Sequence, residues 1–147
     1  PQFELIVRDY IERLVNTPSD DYRVIERDMY KILLEILDEK RVLGAVPSLE
    51  EKKGKDYLLA QLQKIATPEA FLAKMKYNQH QRGDVLFLTG VGKVYPFMRS
   101  HKMLDSMQQM FSDIPIVMFY PGVFNGQNLI LFDKFHDGNY YRAFNLL

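Results

Sequence analysis

The residues whose types and spacing come nearest to chemistry lie between Gly90 and Asp105. Gly90-Val91-Gly92-Lys93 follows an apolar run and precedes a helical pattern, the setting of a phosphate-binding turn. A Walker A loop needs G-x-x-x-x-G-K-[ST], but Phe87 stands where its first glycine belongs. Val94 likewise replaces the hydroxyl that would hold Mg²⁺. The dinucleotide fingerprint G-x-G-x-x-G fails at its third glycine, because Tyr95 there would hold helix and sheet apart. Gly90, Val91, Gly92 and Lys93 therefore read as a strand-to-helix turn that needs glycine's permissive backbone. The alternative is a degenerate phosphate or nucleotide contact at the same turn. Arg99, His101 and Lys102 form a local basic cluster, with Asp105 three residues after Lys102. They serve either as a phosphate or partner-carboxylate contact, or as a solvated helix face with a weak pair to Asp105.

Other chemistries lack their parts. His80, His101 and His136 show no metal-ligand spacing, and there is no H-E-x-x-H. No G-x-S-x-G elbow is present. Ser100 and His101 are adjacent, so on a helix they point about 100° apart and cannot act as nucleophile and base. The absence of Cys excludes thiolate nucleophiles, disulfides and Cys-ligated metal. Met98, Met103, Met107, Met110 and Met118 read as core filler. In the terminal segment Tyr140, Tyr141 and Arg142 alternate like a strand. A charge there must be paired or sit at the sheet's end, and Asp84, Asp113 and Asp133 are its candidate partners.

The elements that must position these residues follow from periodicity. Phe3, Ile6, Val7, Tyr10, Ile11 and Leu14 predict a helix over about 2–15, ended near Thr17-Pro18. The next stretch is open: one long helix from Tyr22, or a strand at 22–27 with Asp28 capping a helix at 29–40. Gly44 and Pro47 break the chain, and residues 50–54 form a solvated turn or helix start. Helices follow at about 55–65 and, capped by Thr67 with Pro68 at its first position, to about 77. Asp84–Thr89 is a strand covered on both faces. A helix at about 94–111 leads to a second covered strand at Ile114–Tyr120, ended by Pro121-Gly122. Asn125-Gly126 is a turn before Leu129–Phe132, and Tyr140–Leu147 is a last strand. Strand, turn, helix, strand is a βαβ unit. The whole is expected to be an α/β fold, a three-layer Rossmann-like domain whose mainly parallel sheet is flanked by helices.

Composition bounds the reading. The 147 residues suit one domain, and 47% hydrophobic with 26% charged is ordinary for a globular chain. The 19 basic and 19 acidic residues cancel, which argues against direct nucleic-acid binding. No apolar run approaches the ~20 residues of a membrane helix. Neutrality hides an asymmetry: residues 1–82 carry 28 of the 38 charges, while 83–147 carry 12 of the 19 aromatics. The front is expected to be mostly helical and residues 84–147 sheet-rich. The chain opens on Pro1 and runs straight into a helical pattern, so it reads as a domain trimmed at its amino end.

Three blocks carry a resemblance. They are Leu88-Thr-Gly-Val-Gly-Lys-Val-Tyr-Pro-Phe-Met-Arg-Ser-His101, Val117-Met-Phe-Tyr-Pro-Gly122 and Asn139-Tyr-Tyr-Arg-Ala-Phe144. In this order they resemble the BrxB family, the small B component of bacterial BREX phage-exclusion systems. The likeness is looser over 1–82, where it favours the strand at 22–27 and the cap at Asp28. The resemblance implies a cytoplasmic, non-enzymatic component without cofactor, metal or small-molecule substrate. Its partners would be other BREX proteins, foremost the alkaline-phosphatase-like PglZ. Tyr95, Pro96, Arg99 and His101, just past one strand's carboxyl end, are the expected partner-binding residues. Asp28, Pro121, Gly122, Tyr140, Tyr141 and Arg142 are expected to be structural.

Overall fold

The computed structural model describes residues 3–136 and 143–146. Its parallel sheet has three strands in the order β1 (Arg23–Asp28), β2 (Asp84–Thr89), β3 (Ile116–Met118). Arg23 pairs with Asp84 and Asp28 with Thr89 across β1 and β2; Leu86 pairs with Ile116 across β2 and β3. The β1–β2 connection carries α2 (Met29–Glu39), α3 (Val46–Lys53), α4 (Lys55–Ile65) and α5 (Pro68–Met75). The β2–β3 connection carries a single turn, α6 (Val91–Val94), and α7 (Ser100–Met110). Parallel strands need such long crossovers because each connection must return to the starting end.

The core lies between one sheet face and these helices. Ile32 and Leu33 of α2, Phe71 and Met75 of α5, and Met103 and Met107 of α7 meet Leu86 and Leu88 of β2. Phe71 is fully buried, so its loss would leave a cavity costing about 3–5 kcal/mol. Phe87 points to the other face and meets Phe119, with ring centroids 5.1 Å apart. Apolar residues thus occupy both faces of β2, which explains its unbroken apolar run. Met98, Met103 and Met107 are buried, and Met110 and Met118 pack against the same core. The helix α1 (Glu4–Asn16) runs before β1 with Ile11 buried, while Phe3, Ile6 and Tyr10 are exposed.

Several expectations need correction. The strands after Pro121 do not extend the parallel sheet. Instead β4 (Gly122–Phe124), β5 (Leu129–Leu131) and β6 (Phe135–His136) form a separate antiparallel sheet, turning at Asn125-Gly126. Antiparallel neighbours need only short turns, and this segment has room for nothing longer. The helix expected at 94–111 begins only at Ser100, because Tyr95 and Arg99 both take extended backbone conformations. Residues 46–53 are helical rather than broken, since Pro47 falls in the first turn, where its missing N–H costs nothing. Ala143–Leu146 carry no strand; Tyr140, Tyr141 and Arg142 lie outside the described residues. At the start of α2 the chain resolves as strand then cap: Asp28 Oδ1 accepts the Tyr30 and Lys31 amides at 2.9 and 3.2 Å.

Candidate functional site

The turn after β2 is shaped by its neighbours. Gly90 has φ 69°, in the left-handed region. A Cβ there would come within 2.3 Å of Asp28 Oδ1, the oxygen that caps α2. A Cβ on Gly92 would lie 2.6 Å from Pro121 Cγ and 3.0 Å from Phe132 Cζ. The Lys93 and Val94 amides donate to the Gly90 carbonyl at 3.0 and 3.1 Å. Both glycines are therefore accounted for by close protein contacts, and the exposed Lys93 side chain does not line the cleft described below. Gly122 is equally constrained, because a Cβ there would sit 2.0 Å from the Ile130 carbonyl oxygen across the β4–β5 ladder.

Beyond α6 the chain turns at a cis Tyr95–Pro96 peptide. The Pro96 carbonyl accepts from Gln63 Nε2 of α4 at 2.9 Å, tying this loop to the helical layer. Arg99 is exposed and precedes α7, whose first turn no side chain caps. On the opposite side, the Phe132 amide donates to the Pro121 carbonyl at 2.8 Å. The Lys134 amide closes the β5–β6 turn on the Leu131 carbonyl at 3.0 Å.

Between these segments lies a cleft of about 360 Å³ at the carboxyl edge of the parallel sheet. Val91, Tyr95, Met98, Arg99 and Ser100 form one side of it. Tyr120, Leu131, Lys134, Phe135 and His136 form the other. The Tyr95 and Phe135 rings join the two sides, with centroids 5.2 Å apart and planes at 37°. Of the residues expected to bind a partner, Tyr95 and Arg99 line the cleft; Pro96 and the half-buried His101 do not. Val91 is the one residue of the glycine turn in its lining. Sequence reasoning missed Tyr120, Lys134 and Phe135 and weighed His136 only as a metal ligand. The available signal was the aromatic-rich tail in which Tyr120 and Phe135 stand.

Strong electrostatic perturbation lies at the other edge of the sheet. The buried Asp84 carboxylate accepts from Arg23 Nε at 2.7 Å, Arg23 Nη2 at 2.8 Å, Tyr77 Oη at 2.9 Å and the Gln81 amide at 2.9 Å. The Arg23 hydrogen bonds, above all, hold this carboxyl well below the usual carboxylate range. Burial, then the bond to Asp84, pushes the Tyr77 hydroxyl up to about 12. His80 Nδ1 lies 2.8 Å from Asp113, and that hydrogen bond lowers the Asp113 carboxyl. Each carboxylate of this cluster has hydrogen-bond partners within the fold, and the Arg23–Asp84 pair fastens β1 to β2. Asp84 and Asp113, two of the expected partners of Arg142, are thus bound to Arg23 and His80. Among the described residues no group of three metal-ligating side chains converges, and no helix is long and apolar enough to cross a membrane.

A family model described as "BREX protein BrxB" matches residues 25–146. The chain belongs to the BrxB family. The match takes in both sheets apart from Arg23 and Val24 of β1, and every residue that lines the cleft. A BREX protein BrxB of Bacillus cereus (strain H3081.97) is 40% identical over 154 aligned residues, covering 100% of this chain and 79% of that protein. A BrxB of Escherichia coli O9:H4 (strain HS) is 32% identical over 152, covering 99% and 74%. No solved structure matches the chain.

Proposed function

We propose that this member of the BrxB family is a non-catalytic component of a BREX anti-phage system. It acts in the cytoplasm and holds another BREX protein, foremost the alkaline-phosphatase-like PglZ. The observation that carries the reading is membership of the BrxB family over residues 25–146. The described residues support it, since their most perturbed carboxylate is locked in structural hydrogen bonds rather than presented to a substrate. The docking face is the segment from Tyr95 to His101, with Tyr95, Pro96, Arg99 and His101 as its members. It lies beyond the carboxyl edge of the parallel sheet, the edge that α/β sheets most often use for recognition. We also read the parallel sheet as the middle of a three-layer Rossmann-like domain. The burial of Phe87 on the face opposite Leu86 and Leu88 supports this.

Co-expression with the operon's proteins, with the tag on this chain, tests the reading. PglZ is expected in the eluate at near-stoichiometric amounts. An eluate holding neither PglZ nor any other BREX protein would overturn it.

A further inference from the structure

The cleft has a chemistry of its own. In a chain of net charge zero, the lining carries Arg99 and Lys134 and, among the described residues, not one Asp or Glu. His136 adds a ring N–H that donates even when the imidazole is neutral. These three groups reach the cleft from two sides: Arg99 from the approach to α7, Lys134 from the β5–β6 turn and His136 from β6. Two-sided donors match a tetrahedral phosphoryl group, which presents oxygens in several directions. A planar carboxylate would be satisfied by the Arg99 fork alone.

The rest of the lining is aromatic. Tyr95 and Phe135 form a touching pair and Tyr120 stands in the same cleft. Phe135 keeps 46% of its surface exposed, although a residue of this size and polarity is normally covered. Such rings offer faces on which a flat heterocycle stacks. A volume of about 360 Å³ sits at the low end of small-molecule sites, enough for a mononucleotide and too small for a dinucleotide. The cleft also opens where β2 and β3 deliver their carboxyl ends, the usual crevice for ligands in parallel sheets.

We infer that this cleft binds a nucleoside monophosphate, its phosphoryl group held by Arg99, Lys134 and His136 and its base against Tyr95 and Phe135. The site borders the Gly90–Lys93 turn only through Val91, and the glycines of that turn are closed off by Asp28, Pro121 and Phe132. The inference goes beyond docking and does not depend on it, because the ligand meets this chain alone.

The test is calorimetry on the chain with AMP, adenosine, ribose 5-phosphate and inorganic phosphate, each to about 1 mM, beside amide NMR shifts. AMP is expected to bind and to shift the amides of Tyr95, Arg99, Lys134 and His136. Adenosine should not bind, and both ribose 5-phosphate and inorganic phosphate should bind more weakly than AMP. Lys134→Glu should weaken AMP at least about tenfold, the loss of one charge-assisted contact, whereas Lys93→Glu should leave it unchanged. Three results overturn the inference: no AMP binding by the wild-type chain, adenosine or inorganic phosphate binding as tightly as AMP, or loss through Lys93→Glu instead of Lys134→Glu. PglZ capture plays no part in these readouts, so a failed ligand and a failed docking partner are told apart.

Discussion

Arg23 and Asp84 stand opposite each other at the first register position of β1 and β2, and the guanidinium closes on the carboxylate through two hydrogen bonds of 2.7 and 2.8 Å. The Asp84 side chain is fully buried while Arg23 keeps 44% of its side-chain surface exposed. The pair therefore costs one full desolvation, which the Tyr77 hydroxyl and the Gln81 amide help to offset. It joins strands 61 residues apart in sequence. Arg27, four residues on, places its guanidinium 5.6 Å from the same Tyr77 ring and donates to the Met75 carbonyl at 2.9 Å. The amino edge of the sheet is thus fastened by ionic contacts, and its carboxyl edge is left to the cleft.

Asp84→Asn should destabilise the fold by roughly 1.5–3 kcal/mol at pH 7, the usual worth of hydrogen bonds to a charged group. The pH dependence has a defined sign. A carboxyl lowered in the folded state stabilises above its ordinary value of 3.8 and loses that contribution as the pH falls through the folded value. Thermal melts from pH 7 to pH 2 should show wild type well above the variant at neutrality, with the gap narrowing below about pH 4. Parallel curves would mean that the charge of Asp84 is not what binds β1 to β2.

Gly90→Ala should destabilise through two linked effects. Alanine pays about 1–2 kcal/mol for the left-handed backbone, and its Cβ displaces Asp28 from the α2 cap, worth about 1 kcal/mol more. Because both effects run through Asp28, the double variant with Asp28→Ala should cost less than the two single variants summed. Urea unfolding of all four proteins measures this coupling. Strict additivity would mean that Gly90 and Asp28 do not share the contact.

What could be read in the residues was local. The Thr67 cap and the Asn125-Gly126 turn each rest on one side chain or backbone meeting its near neighbours, whereas the residues left the Asp28 cap open against one long helix and only the family resemblance favoured it. The strand at Asp84–Thr89 was legible because burial on both faces leaves only apolar side chains after Asp84 until Thr89. The start of α7 was not, since Phe97 and Met98 keep the helical spacing although the backbone around them is not helical. Nor was the engagement of Asp84 by Arg23, which depends on strand order and register rather than on spacing along the chain. The cleft escaped for the same reason: Arg99 and Lys134 meet only because the β5–β6 turn folds back toward α7.

Arg99→Glu should weaken PglZ capture at least about tenfold while leaving the melting temperature unchanged. Arg99 is exposed and makes no contact that buries it. The new carboxylate would stand at the amino end of α7, where the helix dipole favours negative charge. The fold therefore has no electrostatic reason to lose stability, and a loss of capture reports on the docking face itself. Paired pull-downs and thermal melts of the two proteins decide the matter. If the variant melts early, Arg99 is a structural residue; if it melts normally and captures PglZ as well as wild type, the docking face lies elsewhere on the chain.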